Sequence, residues 1–317
     1  MPILKAMNNF IKKNGILLLC LSVFYITAVA AVSGGRPVGP EKNFYKNILA
    51  ECGYKISYEV AIASGGIAGA IEFYSAESGP EKNKVHIAVV NQPELFEAGV
   101  DFGDRLRILS ETASGVAGAV LAINGGYFAI IKENIYSVGR VCKDYKIYPD
   151  YIRHDAYPYL CVDAAGGLDI LKAPEFNKKN KIKTGYKDFI QTKPMLVYNG
   201  AVPDSLKAVR AANESKNPRT AVALTTDKKI ICAIVEGRQE LIEGMSQTGL
   251  ADLLIKMKAV RAINLDGGGS SSIILNGCLM NRPSGGFSPF ALPGRQRPIH
   301  SIFYFKPKSE ANSNTSN

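Results

Sequence analysis

Histidine, tryptophan and paired cysteines are scarce or absent in this sequence. Its 317 residues include three histidines, six cysteines and no tryptophan, and no two cysteines have the Cys-x-x-Cys spacing of a zinc site. No cluster of His and Asp suits a two-metal phosphodiesterase. We expect no catalytic metal and no redox or nucleotide cofactor, with a structural cation left open at Asp150, Asp155 and Asp163. Cys142 and Cys161 flank a tyrosine-rich loop and are predicted to form a disulfide.

Acidic residues are outnumbered. The chain has 38 Lys and Arg against 28 Asp and Glu, a net charge of +10, and removal of residues 1–32 leaves +7. Nucleic acid is a poor candidate partner, because no zinc-finger, helix-turn-helix or RNP pattern accompanies the charge. The charge instead suits anionic envelope polymers or phosphorylated sugars.

The N-terminus has the pattern of an export signal. Lysines precede an apolar run over residues 15–32, where Ala28 and Ala30 fit an Ala-x-Ala cleavage site. The run is long for a signal peptide, so an uncleaved membrane anchor is the alternative. Residues 1–32 are predicted to be a signal peptide or N-terminal anchor, and residues 33–55 a linker and leading segment. We expect the body of the protein to be periplasmic, secreted or associated with the cell envelope.

The remaining chain predicts an α+β fold. Short β-branched or aromatic segments bounded by Gly, Asn, Asp or Pro, from "KISYEVAIA" to "HSIFYF", predict strands. Apolar residues at i, i+3, i+4 and i+7 predict a helix over 248–260. A second helix is predicted over 105–114, whereas the basic segment 173–189 is predicted to be a solvated loop. We expect a single catalytic domain, residues 56–307, with a mixed β-sheet core flanked by a few helices, and a disordered tail over 308–317.

The helix over 248–260 joins two predicted strands, 229–235 and 262–265. A strand, a crossover helix and another strand usually form a right-handed parallel unit. Glu236 and Asp266 would then lie just past the carboxyl ends of two strands in one sheet, where open α/β sheets bind ligands. Two carboxylates at one sheet edge could act together on a sugar.

Glycine-rich stretches after two strands have two interpretations. In "INLDGGGSSS", Asp-Gly favours a β-hairpin, but three ordered glycines cost entropy and could instead aim amides at an anion. "AINGGYF", with Asn124 before two glycines, allows a bulge or tight turn as well as a ligand loop. Arg219 in "NPRTAVAL" suits a surface ion pair or bidentate phosphate binding.

Together these stretches form an ordered set. "INGGYF", "NPRTAVAL", "VEGRQ", "GMS", "INLDGGGSSSIILNG", "NRPS" and "RPI" closely resemble, in this order, the motifs of the phosphodiester glycosidase family. The resemblance covers residues 85–306 and is strongest over 217–277. It implies cleavage of the glycosidic C–O bond of a sugar-1-phosphodiester, such as an N-acetylglucosamine-1-phosphodiester, to a free sugar and a phosphomonoester. The chain departs from the family at Glu236, since it has "VEGRQ" where the family usually has "VDGRQ".

The resemblance also implies roles for single residues. Asp266 would act at the anomeric carbon, as nucleophile or as base, with Glu236 as its partner. Asn124 would bind a sugar hydroxyl or the N-acetyl group, with Gly125 and Gly126 leaving room for it. The phosphate would be bound by Arg219, Arg238, Gly267, Gly268, Gly269, Ser270 and Ser271, with Ser246 as a further candidate.

Other functions fit parts of the sequence. The main alternative is a non-catalytic envelope protein that binds phosphosugar polymers or assists exopolysaccharide assembly. A serine hydrolase is disfavoured, because "GGGSSS" is not G-x-S-x-G; His86 is predicted to be half-exposed and His300 structural. The expected partner is a phosphodiester-linked sugar or an anionic envelope glycopolymer, with membrane contact only through an uncleaved anchor. Residues 132–189, rich in Tyr and Lys, are expected to shape the substrate pocket.

Overall fold

The computed structural model describes residues 43–180, 185–208, 215–285 and 292–308. The predicted signal or anchor, residues 33–42 of the predicted linker and leading segment, and all but the first residue of the predicted tail lie outside the described residues. The described helices are α1 (Phe44–Glu51), α2 (Leu109–Gly115), α3 (Ala173–Asn180), α4 (Asp204–Ala208) and α5 (Gln247–Lys256). Among them, none has the length and apolar character that a membrane crossing requires.

The described strands are numerous and mostly short. In chain order they are β1 (Lys55–Ser64), β2 (Ile67–Ser78), β3 (Asn83–Val90), β4 (Phe96–Arg107), β5 (Leu121–Asn124), β6 (Phe128–Ile131), β7 (Asn134–Val138), β8 (Val141–Lys143), β9 (Lys146–Ile147), β10 (Tyr151–Ile152), β11 (Tyr159–Val162), β12 (Leu168–Leu171), β13 (Asp188–Gln191), β14 (Met195–Tyr198), β15 (Arg219–Thr225), β16 (Ile230–Glu236), β17 (Ala259–Asn264), β18 (Ile273–Leu275), β19 (Cys278–Leu279) and β20 (Ile299–Pro307).

These strands form four sheets. The largest has seven strands in the order β1-β2-β3-β16-β15-β17-β14, and its neighbours pair antiparallel. Two five-stranded sheets have the orders β19-β18-β5-β20-β4 and β12-β11-β13-β8-β9, and a three-stranded sheet has the order β10-β7-β6, in which β10 and β7 are parallel. The α+β class predicted from the sequence is confirmed.

The seven-stranded sheet lies between two apolar layers. Strand β16 is buried along its whole length, and successive side chains of a strand point to opposite faces. On one face Ile231, Ala233 and Val235 pack with α1 and α5. On the other face Cys232 and Ile234 pack against residues of both five-stranded sheets. Burial on both faces explains why this strand reads as a continuous apolar run.

The glycine-rich stretch after β17 is not a hairpin. Strand β17 belongs to the seven-stranded sheet, whereas β18, which follows the glycines, belongs to a five-stranded sheet. "AINGGYF" also joins two different sheets, because it leads from β5 in that five-stranded sheet to β6 in the three-stranded sheet. Both glycine stretches therefore carry the chain from one sheet to another, and neither forms a turn between paired strands.

Two local predictions differ from the structure. Helix α5 ends at Lys256, and Val260 lies in β17, because Met257 ends the helix and Lys258 has a positive φ of 65°. The basic segment 173–189 begins with α3, whose Phe176 is buried against Tyr159. Ala173, Tyr186 and Phe189 of the same segment are buried in the same apolar cluster, and their burial outweighs the polar composition of the segment.

The predicted disulfide is wrong. Cys142 and Cys161 form no disulfide, and each lies opposite Phe189 of the intervening strand β13. Two strand spacings put their Cα atoms roughly 10 Å apart, beyond the reach of a disulfide. Both thiols are buried instead in an apolar cluster, and burial raises the pKa of Cys142 to about 12.

His300 is a buried residue of the core, at 3% exposure. Its ring stacks on Phe102 and meets Tyr148 edge-on, with centroids 6.1 and 4.4 Å apart. Within the described part of the chain neither ring nitrogen has a hydrogen-bond partner. Burial lowers the pKa of His300 to about 4.

His300→Phe is expected to remove part of the acid sensitivity of the fold. Because the folded-state pKa lies below the ordinary value, the unfolded chain binds a proton between about pH 6.5 and 4, and stability is lost as the pH falls through that window. At pH 5 the loss is about 2 kcal/mol relative to pH 7.5. Urea unfolding of both proteins at the two pH values measures it. Equal pH dependence in the two proteins would contradict the assignment.

Candidate active site

Three strand ends of the seven-stranded sheet meet at one edge. Strands β16 and β17 both pair antiparallel with β15, which lies between them. They are therefore parallel to each other, as the crossover predicted, but not adjacent. Their carboxyl ends lead to Glu236 and Asp266, and β15 begins between them at Arg219.

Asp266 occupies the centre of this edge and is buried, at 8% exposure. Its Oδ2 accepts hydrogen bonds from the Arg297 guanidinium and, at 2.6 Å, from the Ser270 hydroxyl. The backbone N–H of Gly267 also donates to the carboxylate. Burial raises the pKa of Asp266, and Arg297, Ser270 and Gly267 offset part of this rise. A held carboxylate with an elevated pKa is suited to take up a proton.

Arg297 is the main site residue that the sequence reasoning did not assign. It lies two residues before β20, in the "RPI" motif, and its guanidinium contacts both Asp266 and Ser270. The guanidinium also lies over the Phe128 ring, 5.2 Å from its centroid. The available signal was an arginine inside a recognised motif, but nothing in the sequence tied it to Asp266, 31 positions earlier.

Arg219 and Arg238 bring further positive charge. Arg219 is buried and donates to two backbone carbonyls, Met245 O at 3.0 Å and Ser215 O at 2.7 Å. Arg238 donates to the Asn217 side-chain oxygen at 2.9 and 3.1 Å. Burial lowers the pKa values of Arg219 and Arg297, and the charge of Arg238 lowers both further. The three guanidiniums are therefore close enough for their charges to interact, and the Asp266 carboxylate forms an ion pair with that of Arg297.

The Asn124 side chain links the two glycine stretches by hydrogen bonds. It is 1% exposed, and its Nδ2 donates to Asp266 O at 2.6 Å. Its Oδ1 accepts from the Thr220 hydroxyl at 2.8 Å and from Ser272 N at 3.2 Å. With its amide used inside the protein, Asn124 positions Asp266; this corrects the predicted contact with the sugar.

Most of the glycines are needed for close packing inside the protein. A side chain at Gly125 would collide with Ser301, one at Gly126 with Ile190, one at Gly267 with Pro218 O at 2.7 Å, and one at Gly269 with Gly285 O. Gly268 is different, because it has a positive φ of 60° and faces the Arg238 guanidinium. Its amide donates to Pro218 O at 3.0 Å. These contacts give most of the glycines a packing role. The amides of Gly267 and Gly268 are used inside the protein, and phosphate binding by the Gly269 amide stays a prediction.

Tyr127 is a second residue that received no role from the sequence. Its hydroxyl accepts a hydrogen bond from Asn264 Nδ2 at 2.8 Å. Burial raises the pKa of Tyr127, and the Asp266 carboxylate raises it further. The phenol therefore stays protonated beside Asp266 and is available as a neutral hydrogen-bond donor.

Glu236 points away from the predicted partnership with Asp266. Its Oε1 accepts from His86 Nε2 and from Arg282 N, each at 2.7 Å, and its Oε2 from Gln239 at 3.3 Å. Burial would raise the pKa of Glu236, but His86 and the Arg282 amide bring it below its usual value. His86 is 1% exposed, so the predicted half-exposure is wrong. The longer side chain of "VEGRQ" reaches a buried histidine and fixes the loop at Arg282.

Glu236→Gln is expected to affect stability more than catalysis. Glutamine keeps an oxygen for Arg282 N but loses the charge that faces His86, which costs about 1–3 kcal/mol of unfolding free energy. The value of kcat should stay within about tenfold of wild type, because the Glu236 carboxylate is bonded to His86 and Arg282 N and not to Asp266. Chemical denaturation and initial rates give the two quantities. A rate loss of about 10³-fold with normal stability would restore the catalytic assignment.

The remaining candidates have mixed outcomes. Ser246 caps α5, because its Oγ accepts from Gly249 N at 2.9 Å, and this corrects its candidacy as a ligand residue. Ser271 is buried, and its hydroxyl has no hydrogen-bond partner among the described residues; phosphate binding by Ser271 stays a prediction. Over the same residues, no group of three or more His, Cys, Asp or Glu side chains could hold a metal ion.

Comparisons with known proteins give a family and a fold. A sequence profile of the family described as phosphodiester glycosidase matches residues 117–306. Over 66 residues, or 21% of this chain, the sequence is 41% identical to N-acetylglucosamine-1-phosphodiester alpha-N-acetylglucosaminidase of Bos taurus and 38% identical to that of Homo sapiens. It is 24% identical over 228 residues, 68% of this chain, to the SPbeta prophage-derived uncharacterized protein YomE of Bacillus subtilis (strain 168).

The matched regions are a limited part of those relatives. They cover 12% of the bovine protein, 13% of the human protein and 34% of the Bacillus protein. Among solved structures, the zebrafish N-acetylglucosamine-1-phosphodiester alpha-N-acetylglucosaminidase catalytic domain, auto-inhibited by its pro-peptide, aligns with a TM-score of 0.57 at 21% identity, over 80% of this chain and 83% of that chain. A hypothetical protein from Synechocystis aligns with a TM-score of 0.54 at 14% identity, over 81% and 68%. These likenesses show a shared fold.

Proposed function

The chain belongs to the phosphodiester glycosidase family, as its motif order predicted, and we propose that it hydrolyses the glycosidic C–O bond of a sugar-1-phosphodiester. N-acetylglucosamine-1-phosphodiester is the proposed substrate type, and the products are the free sugar and a phosphomonoester. The observation that carries this proposal is the buried Asp266 carboxylate, held by Arg297 and Ser270 beside two further arginines. A carboxylate suits the anomeric carbon, and the guanidiniums suit the phosphate.

The chemistry needs one carboxylate. A phosphate monoester leaves far more readily than a sugar alkoxide, so no second acidic group has to protonate the leaving oxygen. Acting as base, Asp266 takes a proton from water as the water oxygen bonds to C1; the C1–O bond breaks, and its electron pair leaves on the phosphate. Acting as nucleophile, the Asp266 carboxylate bonds to C1 as the C1–O bond to the phosphate breaks and its electron pair leaves on the phosphate. Water then bonds to C1 and gives up a proton to the solvent, and the C1–O bond to Asp266 breaks to restore the carboxylate and release the sugar. Arg219 and Arg238 stabilise the growing phosphate charge. Glu236 can therefore have a purely structural role.

The proposed setting is outside the cytoplasm. It is supported by the lysines, apolar run and Ala-x-Ala pattern of residues 1–32. The positive net charge suits an anionic substrate of the envelope, such as a phosphodiester-linked sugar or a glycopolymer.

Hydrolysis in ¹⁸O-labelled water tests the reaction. The full-length protein is incubated with UDP-N-acetylglucosamine as a sugar-1-phosphodiester probe, and the products are identified by mass spectrometry. We expect ¹⁸O in free N-acetylglucosamine and none in UDP, because C1–O is the bond that breaks. Label in a phosphate, together with N-acetylglucosamine-1-phosphate and UMP, would show P–O cleavage and overturn the glycosidase assignment.

A further inference from the structure

Exposed aliphatic side chains gather on segments that lead into the site. Six large aliphatic side chains of the described residues are exposed. Single exposed side chains of this kind need no explanation. Four of the six, however, lie on three segments joined to the Asp266 site: Ile130, Ile131, Leu241 and Leu292. Each lies two to five positions along the chain from Phe128, Arg238 or Arg297, and the four residues are named here the apolar rim.

The first part of the rim is the end of the hairpin formed by β6 and β7. Ile130 and Ile131 are 61% and 46% exposed. Because successive side chains of a strand point to opposite faces, the exposure of both shows that the hairpin end is clear of the protein body on each side. The hairpin starts at Phe128, under the Arg297 guanidinium. Ile130 follows two residues later, about 7 Å along the strand.

The second part of the rim lies on two loops bound to each other. Leu241 is 80% exposed and follows Gln239, whose side chain donates to Arg282 O at 3.0 Å. Leu292 is 57% exposed and begins a turn whose Gly294 N donates to Pro283 O at 2.7 Å. The same chain segment reaches Arg297 five residues after Leu292. Both leucines therefore stand on loops that connect directly to the arginine cluster.

The site thus combines a cationic centre with an apolar rim. The centre holds Arg238 close to both Arg219 and Arg297, and Arg297 is bonded to the Asp266 carboxylate. A sugar phosphodiester uses the polar centre but gives four exposed aliphatic side chains nothing to bury. A hydrocarbon chain on the far side of the phosphate does so, at a gain proportional to the apolar area removed from water. The two chemistries together fit an amphipathic substrate.

We propose that the natural aglycone is a lipid, so that the enzyme hydrolyses sugars linked through phosphate to a membrane-embedded hydrocarbon chain, with the apolar rim seated among the lipid chains. This rests on the proposed function, since it assumes a sugar-1-phosphodiester at Asp266. Lipid is favoured over a glycan aglycone because the rim is aliphatic, and bare sugar hydroxyls lose hydrogen bonds to water against such side chains. As an uncleaved anchor, the apolar run of residues 15–32 would hold the chain at a membrane.

Two matched substrates test the proposal. They are the methyl and farnesyl phosphodiesters of N-acetylglucosamine-1-phosphate, presented at equal concentration in neutral detergent micelles to the full-length protein. The variants are Ile130→Ser with Ile131→Ser, and Leu241→Ser. The control is Ile67→Ser, an exposed isoleucine at the start of β2, on the far side of β3 from the strands that carry the site. The readout is kcat/KM for each substrate.

We expect wild type and the control to prefer the farnesyl substrate by at least tenfold, and the rim variants to lose most of that preference while hydrolysing the methyl substrate normally. Equal rates on both substrates in wild type would overturn the lipid aglycone and leave the rim for a protein partner. An equal loss on both substrates in the rim variants would also overturn it, since the rim would then support the site alone. If neither substrate is cleaved, the proposed function itself fails.

Discussion

Asp266→Asn is expected to abolish turnover while keeping the site able to bind its ligand. Asparagine has nearly the same shape and can still accept hydrogen bonds from Arg297 and Ser270, which now hold the carboxylate. It can neither take a proton from water nor attack C1, so kcat/KM should fall by about 10³-fold. Removing the one negative charge among three guanidiniums should also tighten binding of the phosphomonoester product. Initial rates with UDP-N-acetylglucosamine and calorimetric titration with UDP, the phosphorylated product of C–O cleavage, measure the two effects.

A matched control separates chemistry from folding. Asp252→Asn makes the same change at an exposed position of α5, and we expect wild-type rates and binding. Asp266→Asn should unfold with wild-type cooperativity at a lower denaturant midpoint, because the Arg297 charge loses its partner. Turnover close to wild type in a folded Asp266→Asn protein would remove Asp266 from the reaction. If the wild-type protein binds the phosphorylated product but turns over no sugar phosphodiester, the result would favour the non-catalytic alternative.

Arg297→Gln is expected to change both the rate and its pH dependence. Burial raises the pKa of Asp266, and the Arg297 guanidinium opposes that rise. Without the guanidinium the pKa of Asp266 goes up, so the ionised carboxylate is lost at a higher pH. The acid limb of the profile of kcat/KM against pH should therefore move to higher pH. Lost stabilisation of the phosphate charge should lower the maximum by about 10²-fold.

The neighbouring arginine gives the comparison. Arg295 is exposed two residues earlier, and Arg295→Gln should leave both the maximum and the acid limb unchanged. Arg297→Lys keeps the charge and should restore most of the acid limb but less of the rate, because an ammonium lacks the planar fork of donors. A rate loss in Arg297→Gln without any movement of the acid limb would show that Arg297 does not act on the Asp266 carboxylate.

Local patterns predicted the secondary structure around the site well. Strand β16 and helix α5 were both recognisable, because an apolar run and an i, i+4 repeat are visible within ten residues. The parallel relation of β16 and β17 followed from the helix between them. The inserted strand β15 was not predictable from that unit, because it comes from an earlier part of the chain and pairs with both.

The residue types of the site were also readable, but their partners were not. Asp266 and Ser270 are four positions apart, and they are bonded. Arg297 and Asn124, which hold the same aspartate, lie 31 and 142 positions away. Contacts between residues so far apart in the sequence depend on which strands become neighbours, and no local sequence pattern predicts that. For Glu236 the location at the end of β16 was predicted correctly, but the partner was not, since its carboxylate is bonded to His86.

The sequence by itself determined the family, the α+β class and the position of the glycine-rich loops, because motifs, periodicity and turn residues are local properties. The tertiary structure decided which of those residues face one another. It did so where two glycine stretches cross between sheets and pack too closely for any side chain, as Gly125 does against Ser301. That crossing brings Asn124, Asp266 and Arg297 together. Close packing of distant strands sets such a contact, and the free energy for it comes from burying the sheets around it.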